Sequence, residues 1–279
     1  GPDLGDVMGG LVCEHAVTVS VRDSALLLDL TQGPAAGDPY FAAPPVRPYM
    51  EEVRTPPGKL RIAVSTKTLN GVEVHPDCLA AVADAKQLCS ELGHEVFDAE
   101  LPISGDMFAH AFSVLWTTGA ALTLDGTAML TGLTPTKDNI EPLSYALAEA
   151  GRAHSASSYL LAVGLLQRLC REIGRFMKGH AVLLPPLLAD PPVPLGSFHQ
   201  PSEDPLQGLV RAAQFAPFTP IQNATGEPAM SVPLYWNAEG LPIGVQFAGR
   251  YGDEATLFRL AAQLETARPW AKKKPKVSA

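Results

Sequence analysis

Residues 60–97 read LRIAVSTKTLNGVEVHPDCLAAVADAKQLCSELGHEVF, and the spacing of their apolar residues changes twice along the stretch. Leu60 to Val64 is short and apolar, the composition of a buried strand. Pro76 suits the first turn of a helix, where its missing N–H would have had no partner. Behind it Cys78, Val82, Ala85, Cys89 and Leu92 recur at steps of four and three, one apolar face of a helix. Gly93 fits the position just past the helix, where left-handed backbone ends it. His94 to Phe97 returns to a strand. Two parallel strands joined by a helix predict a layered α/β sheet.

Upstream, Val19 to Thr31 reads as a helix closed by Gly33 and Pro34. Residues 33–58 hold seven prolines and three glycines, which predicts an irregular excursion, a linker or surface arm. Downstream, residues 106–132 are predicted to be one largely buried helix with Trp116 in its middle. Glu141 to Gly151 is a shorter helix. Ser155 caps a longer one that runs to Met177. The apolar stripe of that helix is Tyr159, Ala162, Val163, Leu166, Leu169, Cys170, Ile173, Phe176 and Met177; Arg168, Arg171, Arg175 and Lys178 share another side, read as a solvated face. Val182 to Leu184 is a strand stub stopped by Pro185 and Pro186, and a proline-rich loop follows to about residue 206. Residues 228–234 and 242–248 read as the strands of a hairpin, with Pro233 and Pro242 near strand ends and a turn at Trp236 to Gly240. Asp253 caps a last helix whose Leu257, Leu260, Ala261 and Leu264 face the core. Trp270 ends the ordered pattern, and a disordered basic tail is expected over 271–279.

The chain has 279 residues, 46% of them hydrophobic, which is enough for a sizeable core. Its formal net charge of −8 argues against nucleic-acid binding. No run approaches the roughly 18 consecutive apolar residues of a membrane span, and no secretory signal is visible, so a cytoplasmic protein without a membrane role is expected. The four cysteines, at 13, 78, 89 and 170, form no C-x-x-C pair and read as reduced, buried thiols. The glycosylation-like triplet Asn223-Ala224-Thr225 is discounted for want of a signal peptide. The sequence opens Gly1-Pro2 rather than with Met, which suggests a fragment or a processed product.

A hydrolase needs a nucleophile and a base that activates it. G-x-S-x-G, H-E-x-x-H, the P-loop and G-x-G-x-x-G are all absent from the chain. The cluster Ser155, Ser157 and Ser158 opens a helix and reads as capping. His15, Ser20 and Asp23 lack the turn that would expose a nucleophilic serine. A Cys170–His180 pair is weakened by the place of Cys170 on a core stripe. No active site is evident from the residues alone.

Three stretches nevertheless resemble a known family. NATGEPAMSVPL from Asn223, GLPIGVQFAGR from Gly240 and GDEATLFRLAAQLETARPW ending at Trp270 resemble the C-terminal part of the amidase signature serine hydrolases. VRDSALLLDL at 21–30 resembles the segment that follows that family's catalytic core. EPLSYALAEAGRAHSASSYLLAV at 141–163 resembles the bacterial branch that includes hydrolases of cyclic nylon oligomers. The resemblance implies an α/β fold, a mixed sheet flanked by helices, of which residues 1–279 are the C-terminal part. It implies hydrolysis of C–N bonds in small linear or cyclic amides by a cofactor-free Ser-Ser-Lys mechanism. The serine-glycine runs of that mechanism do not occur here, so the resemblance places the catalytic residues upstream and the chain alone is expected to be inactive. The implied partners are a small amide substrate and the N-terminal catalytic half, with a homodimer left open. Trp116, Asn223, Thr225 and Gly226 are the candidate substrate-side residues. Two departures stand out: Glu227 where the family often has Gln, and Leu184-Pro185-Pro186-Leu187 where it often has threonines. Ala216, where a transamidating branch would carry an acid, disfavours that role. The reading of another class is a catalytically inactive remnant serving as a binding or assembly module, with an unpaired sheet edge.

Overall fold

The computed structural model of the chain describes residues 5, 6, 8–12, 14–198 and 204–274. In chain order the elements are α1 (Val21–Thr31), α2 (Tyr49–Glu52), β1 (Arg61–Val64), α3 (Pro76–Glu91), β2 (Glu95–Asp98), α4 (Gly105–Thr131), α5 (Pro142–Arg152) and α6 (Ala156–Met177). Then follow β3 (Val182–Leu184), α7 (Gln207–Phe215), α8 (Pro220–Thr225), β4 (Ala229–Trp236), β5 (Pro242–Gly249) and α9 (Glu254–Ala267). The strands form one mixed sheet in the order β2-β1-β3-β5-β4. β1 runs parallel to β2 and to β3, whereas β5 runs antiparallel to β3 and to β4.

The strand–helix–strand unit is as the spacing predicts. Pro76 sits in the first turn of α3, His75 caps it by accepting from the Asp77 N–H at 3.1 Å, and Cys78, Val82, Ala85 and Cys89 are buried. Successive strand residues point to opposite faces, so the short strands feed two cores. Ile62, Val64, Val182, Leu184, Val245 and Phe247 enter a core covered by α1, α2, α3 and α9. Ala63, Leu183 and Ala248, their neighbours in sequence, enter a second core covered by α4, α6 and α8. Each fully buried large side chain, such as Phe247 or Leu183, contributes about 2 kcal/mol of apolar transfer.

Several boundaries and one whole segment differ from the sequence reading. α1 begins at Val21, because the Ser20 hydroxyl accepts from the Asp23 N–H at 3.1 Å and fixes the start there. The excursion at 33–58 is not a loose arm throughout. It contains α2, whose first N–H groups donate to the Asp29 carboxylate at 2.7 and 2.9 Å, and it delivers Glu52 to the interior. α4 is buried only in its first half; Leu122, Met129 and Leu130 are exposed. By length and composition α4 could cross a membrane, yet Phe108, Ala111, Val114 and Leu115 are packed in the second core. α5 lies tightly on α4: a Cβ on Gly151 would stand 2.1 Å from the Thr117 carbonyl oxygen.

Pro233 falls in the middle of β4, not at its end. The register with β5 shifts between Val232 and Tyr235, so the proline sits at an irregularity where no ladder N–H is needed. The hairpin turn is 237–241, with the Asn237 side-chain oxygen accepting from the Glu239 and Leu241 N–H groups. α7 and α8 fill the stretch between the proline-rich loop and the hairpin, to which the sequence reading assigned no element. Of the basic tail, Lys273 folds back so that its ammonium lies 4.0 Å from the Trp236 ring centre. Cys13 and residues 275–279 lie outside the described residues.

Candidate functional site

α8 is opened by Pro220 and closed by Gly226, whose φ of 69° is left-handed and costs a glycine nothing. Asn223, Thr225 and Gly226 are therefore the last turn and cap of a helix. They do not form a free-standing turn. The Asn223 amide does not satisfy its own backbone: it donates to the Leu11 carbonyl oxygen at 2.8 Å and ties the start of the described chain to α8. Behind them, the buried Gln246 donates to Gln222 at 2.8 Å, and the Gln222 side-chain nitrogen finds no partner among the described residues.

Thr225 faces the opposite way. Its hydroxyl lies 3.4 Å from a Glu227 carboxylate oxygen, and it accepts from the Glu227 N–H at 3.3 Å. Glu227 is only 6% exposed, and that hydroxyl is the one hydrogen-bond partner its carboxylate has among the described residues. Burial outweighs the hydroxyl and pushes the carboxyl up to about 7. Glu227 and Thr225 line an open pocket of about 350 Å³. Tyr251 lines it from the turn after β5. Cys170, Arg171, Gly174, Arg175 and Lys178 line it from α6. Arg171, Arg175 and Lys178 make no ion pair among the described residues. The side of α6 read as a plain solvated face is thus the rim of a pocket.

The candidate nucleophiles do not come together. The Cys170 thiol donates to the Ala224 carbonyl oxygen at 3.2 Å, and burial first, then the nearby Glu227 charge, pushes it up to about 11. His180 turns its Nδ1 to the Phe176 carbonyl oxygen at 2.8 Å, so no Cys170–His180 pair forms. Cys78 and Cys89 are buried thiols, pushed up to about 11 and about 12 by desolvation. His15 meets Ser24 at 3.0 Å on an exposed surface, while Ser20 is occupied as a cap, so the imagined triad is not assembled. Ser155 accepts from the Ser158 N–H at 3.1 Å, the capping role expected of it.

Trp116 is half-buried on α4, stacked on Phe112 at 5.6 Å, with Phe108 stacked on Phe112 at 5.8 Å. Of the four residues singled out from the sequence, only Thr225 lines the pocket; Asn223 and Gly226 shape the turn that carries it, and Trp116 belongs to a separate aromatic ladder. The residues missed are Glu227 and Tyr251. An acid at the mouth of an otherwise apolar strand was the available signal for the first. A Cβ on Gly226 would stand 3.1 Å from the Tyr251 ring, a contact across 25 positions of sequence that no local pattern announces.

Fold comparison defines a class first. The structure superimposes on 6-aminohexanoate cyclic dimer hydrolase with a TM-score of 0.85 at 29% identity, covering 92% of this chain and 55% of that one. A bacterial aryl acylamidase of the amidase signature family superimposes with a TM-score of 0.76 at 20% identity, covering 92% and 54%. The mixed sheet flanked by helices is therefore the amidase signature fold. In sequence, the 6-aminohexanoate-cyclic-dimer hydrolases of Paenarthrobacter ureafaciens and of Pseudomonas sp. strain NK87 are 30% and 29% identical over 280 residues. Each alignment takes in 98% of this chain and 57% of the relative. The Amidase family profile matches residues 8–258, and the chain belongs to the amidase family. It spans little more than half the length of the curated relatives it matches.

Proposed function

We propose that the chain serves an amidase that hydrolyses C–N bonds in small linear or cyclic amides, with the Ser-Ser-Lys residues contributed by an upstream segment. The observation that carries this reading is the 30% identity to a cyclic-dimer hydrolase along 98% of the chain. The sheet supports the arrangement. Its β2 edge is short and guarded by the Arg61–Glu95 pair at 3.3 Å and the Lys86–Asp98 pair at 2.6 Å. Its β4 edge is eight residues long and no further strand pairs with it among the described residues, although Arg268 donates to the Leu234 carbonyl oxygen at 3.1 Å and Lys273 lies over Trp236. An edge strand of that length is a place for another strand to join. In this reading the chain supplies the sheet, the second core and the wall at α8, and the upstream segment supplies nucleophile, relay serine and lysine base. The reaction needs no cofactor, and the site is proposed to work in the cytoplasm.

The test is turnover of small linear and cyclic amides by the chain alone and after extension with the upstream segment of its relatives. Activity only in the extended protein supports the reading; enzyme-like turnover by the 279 residues alone overturns it. The β4 edge, with no further strand on it among the described residues, and the exposed leucines of α4 also fit the second reading, an inactive remnant acting as an assembly module. Strong binding of a hydrophobic dye by the chain, lost on extension, favours the amidase. A dye-silent monomer that extension leaves inactive favours the module.

A further inference from the structure

The pocket between α6 and α8 has two separated poles. At its floor Glu227 is more than nine-tenths buried, with one hydroxyl at 3.4 Å as its hydrogen-bond partner. A carboxylate oxygen accepts several hydrogen bonds, so this group is short of donors. At its rim Arg171, Arg175 and Lys178 project from successive turns of α6, exposed and without ion-pair partners among the described residues. The opposite charges share one pocket, yet none of the three cations comes within the 4.0 Å of an ion pair with Glu227. Once Glu227 is ionised, a simple anion would be held by the rim and repelled by the floor. A simple cation would meet the reverse. A molecule with a donor cation at one end and a carboxylate at the other satisfies both.

We infer that this pocket binds an amino-acid zwitterion, its ammonium on Glu227 at the floor and its carboxylate on Arg171, Arg175 and Lys178 at the rim. Thr225, Tyr251, Gly174 and Cys170 complete the lining of the pocket. The inference concerns binding to this chain; the amidase reading brings the upstream segment to the same α8 wall, and the test reads binding and not turnover, so failure of one is distinguishable from failure of the other. The second pocket, about 250 Å³ beside Lys67 and Glu100, has its charges already paired at 3.0 Å and offers no such pair of poles.

The groups that face Glu227 are Cys170, Arg171, Arg175 and Lys178 from α6, Thr225 from α8 and Tyr251 from the turn after β5. Because Glu227 is held up to about 7, it must lose its proton to receive an ammonium, so affinity for the zwitterion rises from pH 6 to pH 8.

The test is calorimetric titration of the 279-residue chain with 6-aminohexanoate, hexanoate and hexylamine as probes, across that pH range. The zwitterion is expected to bind about tenfold tighter than either half-molecule, the effect of one added charge-assisted hydrogen bond. Glu227→Gln is expected to bring the zwitterion down to the level of hexanoate and to abolish the pH dependence. The double variant Arg175→Gln/Lys178→Gln, both exposed positions, is expected to bring it down to the level of hexylamine. Equal binding of all three probes by the unmodified chain, or no binding of the zwitterion at about 10 mM, overturns the inference. So does unchanged zwitterion binding in the rim variant, whose folding is checked by circular dichroism.

Discussion

Among the described residues two glutamates are buried, one on each face of the sheet, and their surroundings are opposite. Glu52, 2% exposed, lies on the face covered by α1, α2, α3 and α9, where Arg47 donates to it at 2.6 Å and Arg259 donates from α9. The Arg259 hydrogen bond first, with that of Arg47, outweighs burial and holds its carboxyl at about 2. Glu227 lies on the other face, has one hydroxyl and no cation in reach, and is held at about 7. A buried charge that is paired is part of the fold. A buried charge left short of partners is a reason to look for a ligand. The first face pairs its buried charge within the chain; the second carries the pocket, the exposed end of α4 and a Gln222 side-chain nitrogen without a partner among the described residues.

The largest effect is expected where the paired glutamate is removed. Glu52→Gln leaves Arg47 and Arg259 facing each other and should lower unfolding stability by about 3 kcal/mol in urea titrations near neutral pH, discounted from full burial because both arginines keep some solvent. Glu52 is depressed, so its contribution is present above its unfolded value and lost as pH falls. Stability should drop between about pH 4.5 and 2, and the variant should not show that drop.

Gly151→Ala tests the packing on the second face, where α5 touches α4. A methyl group 2.1 Å from the Thr117 carbonyl oxygen forces the helices apart and should cost about 2–3 kcal/mol in the same titrations.

Glu227→Gln should sharpen the comparison with the opposite sign. Its carboxyl is raised, so the folded chain holds a proton that the unfolded chain has released. The stability it contributes is present below about pH 4.5 and lost as pH rises to about 7. The substitution should therefore stabilise the chain by roughly 2 kcal/mol at pH 8 and do little at pH 4.5, measured by thermal melts.

The smallest effect is expected at Asn223. Asn223→Ala removes the 2.8 Å bond to Leu11 and should cost about 1 kcal/mol, with faster amide exchange over residues 8–12.

What could be read from the sequence follows the same division. The strand–helix–strand unit at 60–97 was legible because its cues are local: one proline, one glycine and a four-three spacing. The caps at Ser155 and Asp253 were legible for the same reason, whereas Ser20 was read inside its helix and not as the cap. Family resemblance placed the whole sheet. α2 and α8 were not legible, because four- and six-residue helices are too short to show a period, and prolines flank or open both. The half-exposed course of α4 was hidden because its apolar residues do not distinguish a core from an unpartnered surface. The pocket was illegible because it joins α6, α8 and the turn after β5 across more than 50 positions, and Glu227 registers in the sequence only as an acid where the family often has an amide.

The measurement that bears most directly on this account is a carbon-13 NMR titration of the side-chain carboxyls of glutamate-labelled chain, with Glu52→Gln and Glu227→Gln used to assign the two resonances. The account predicts one carboxyl titrating near pH 7 that vanishes in Glu227→Gln, and another that stays ionised to about pH 2 and vanishes in Glu52→Gln. Both titrating near the ordinary 4.5 of a solvated glutamate would contradict it, and with it the contrast between a face that pairs its buried charge and a face that awaits a ligand.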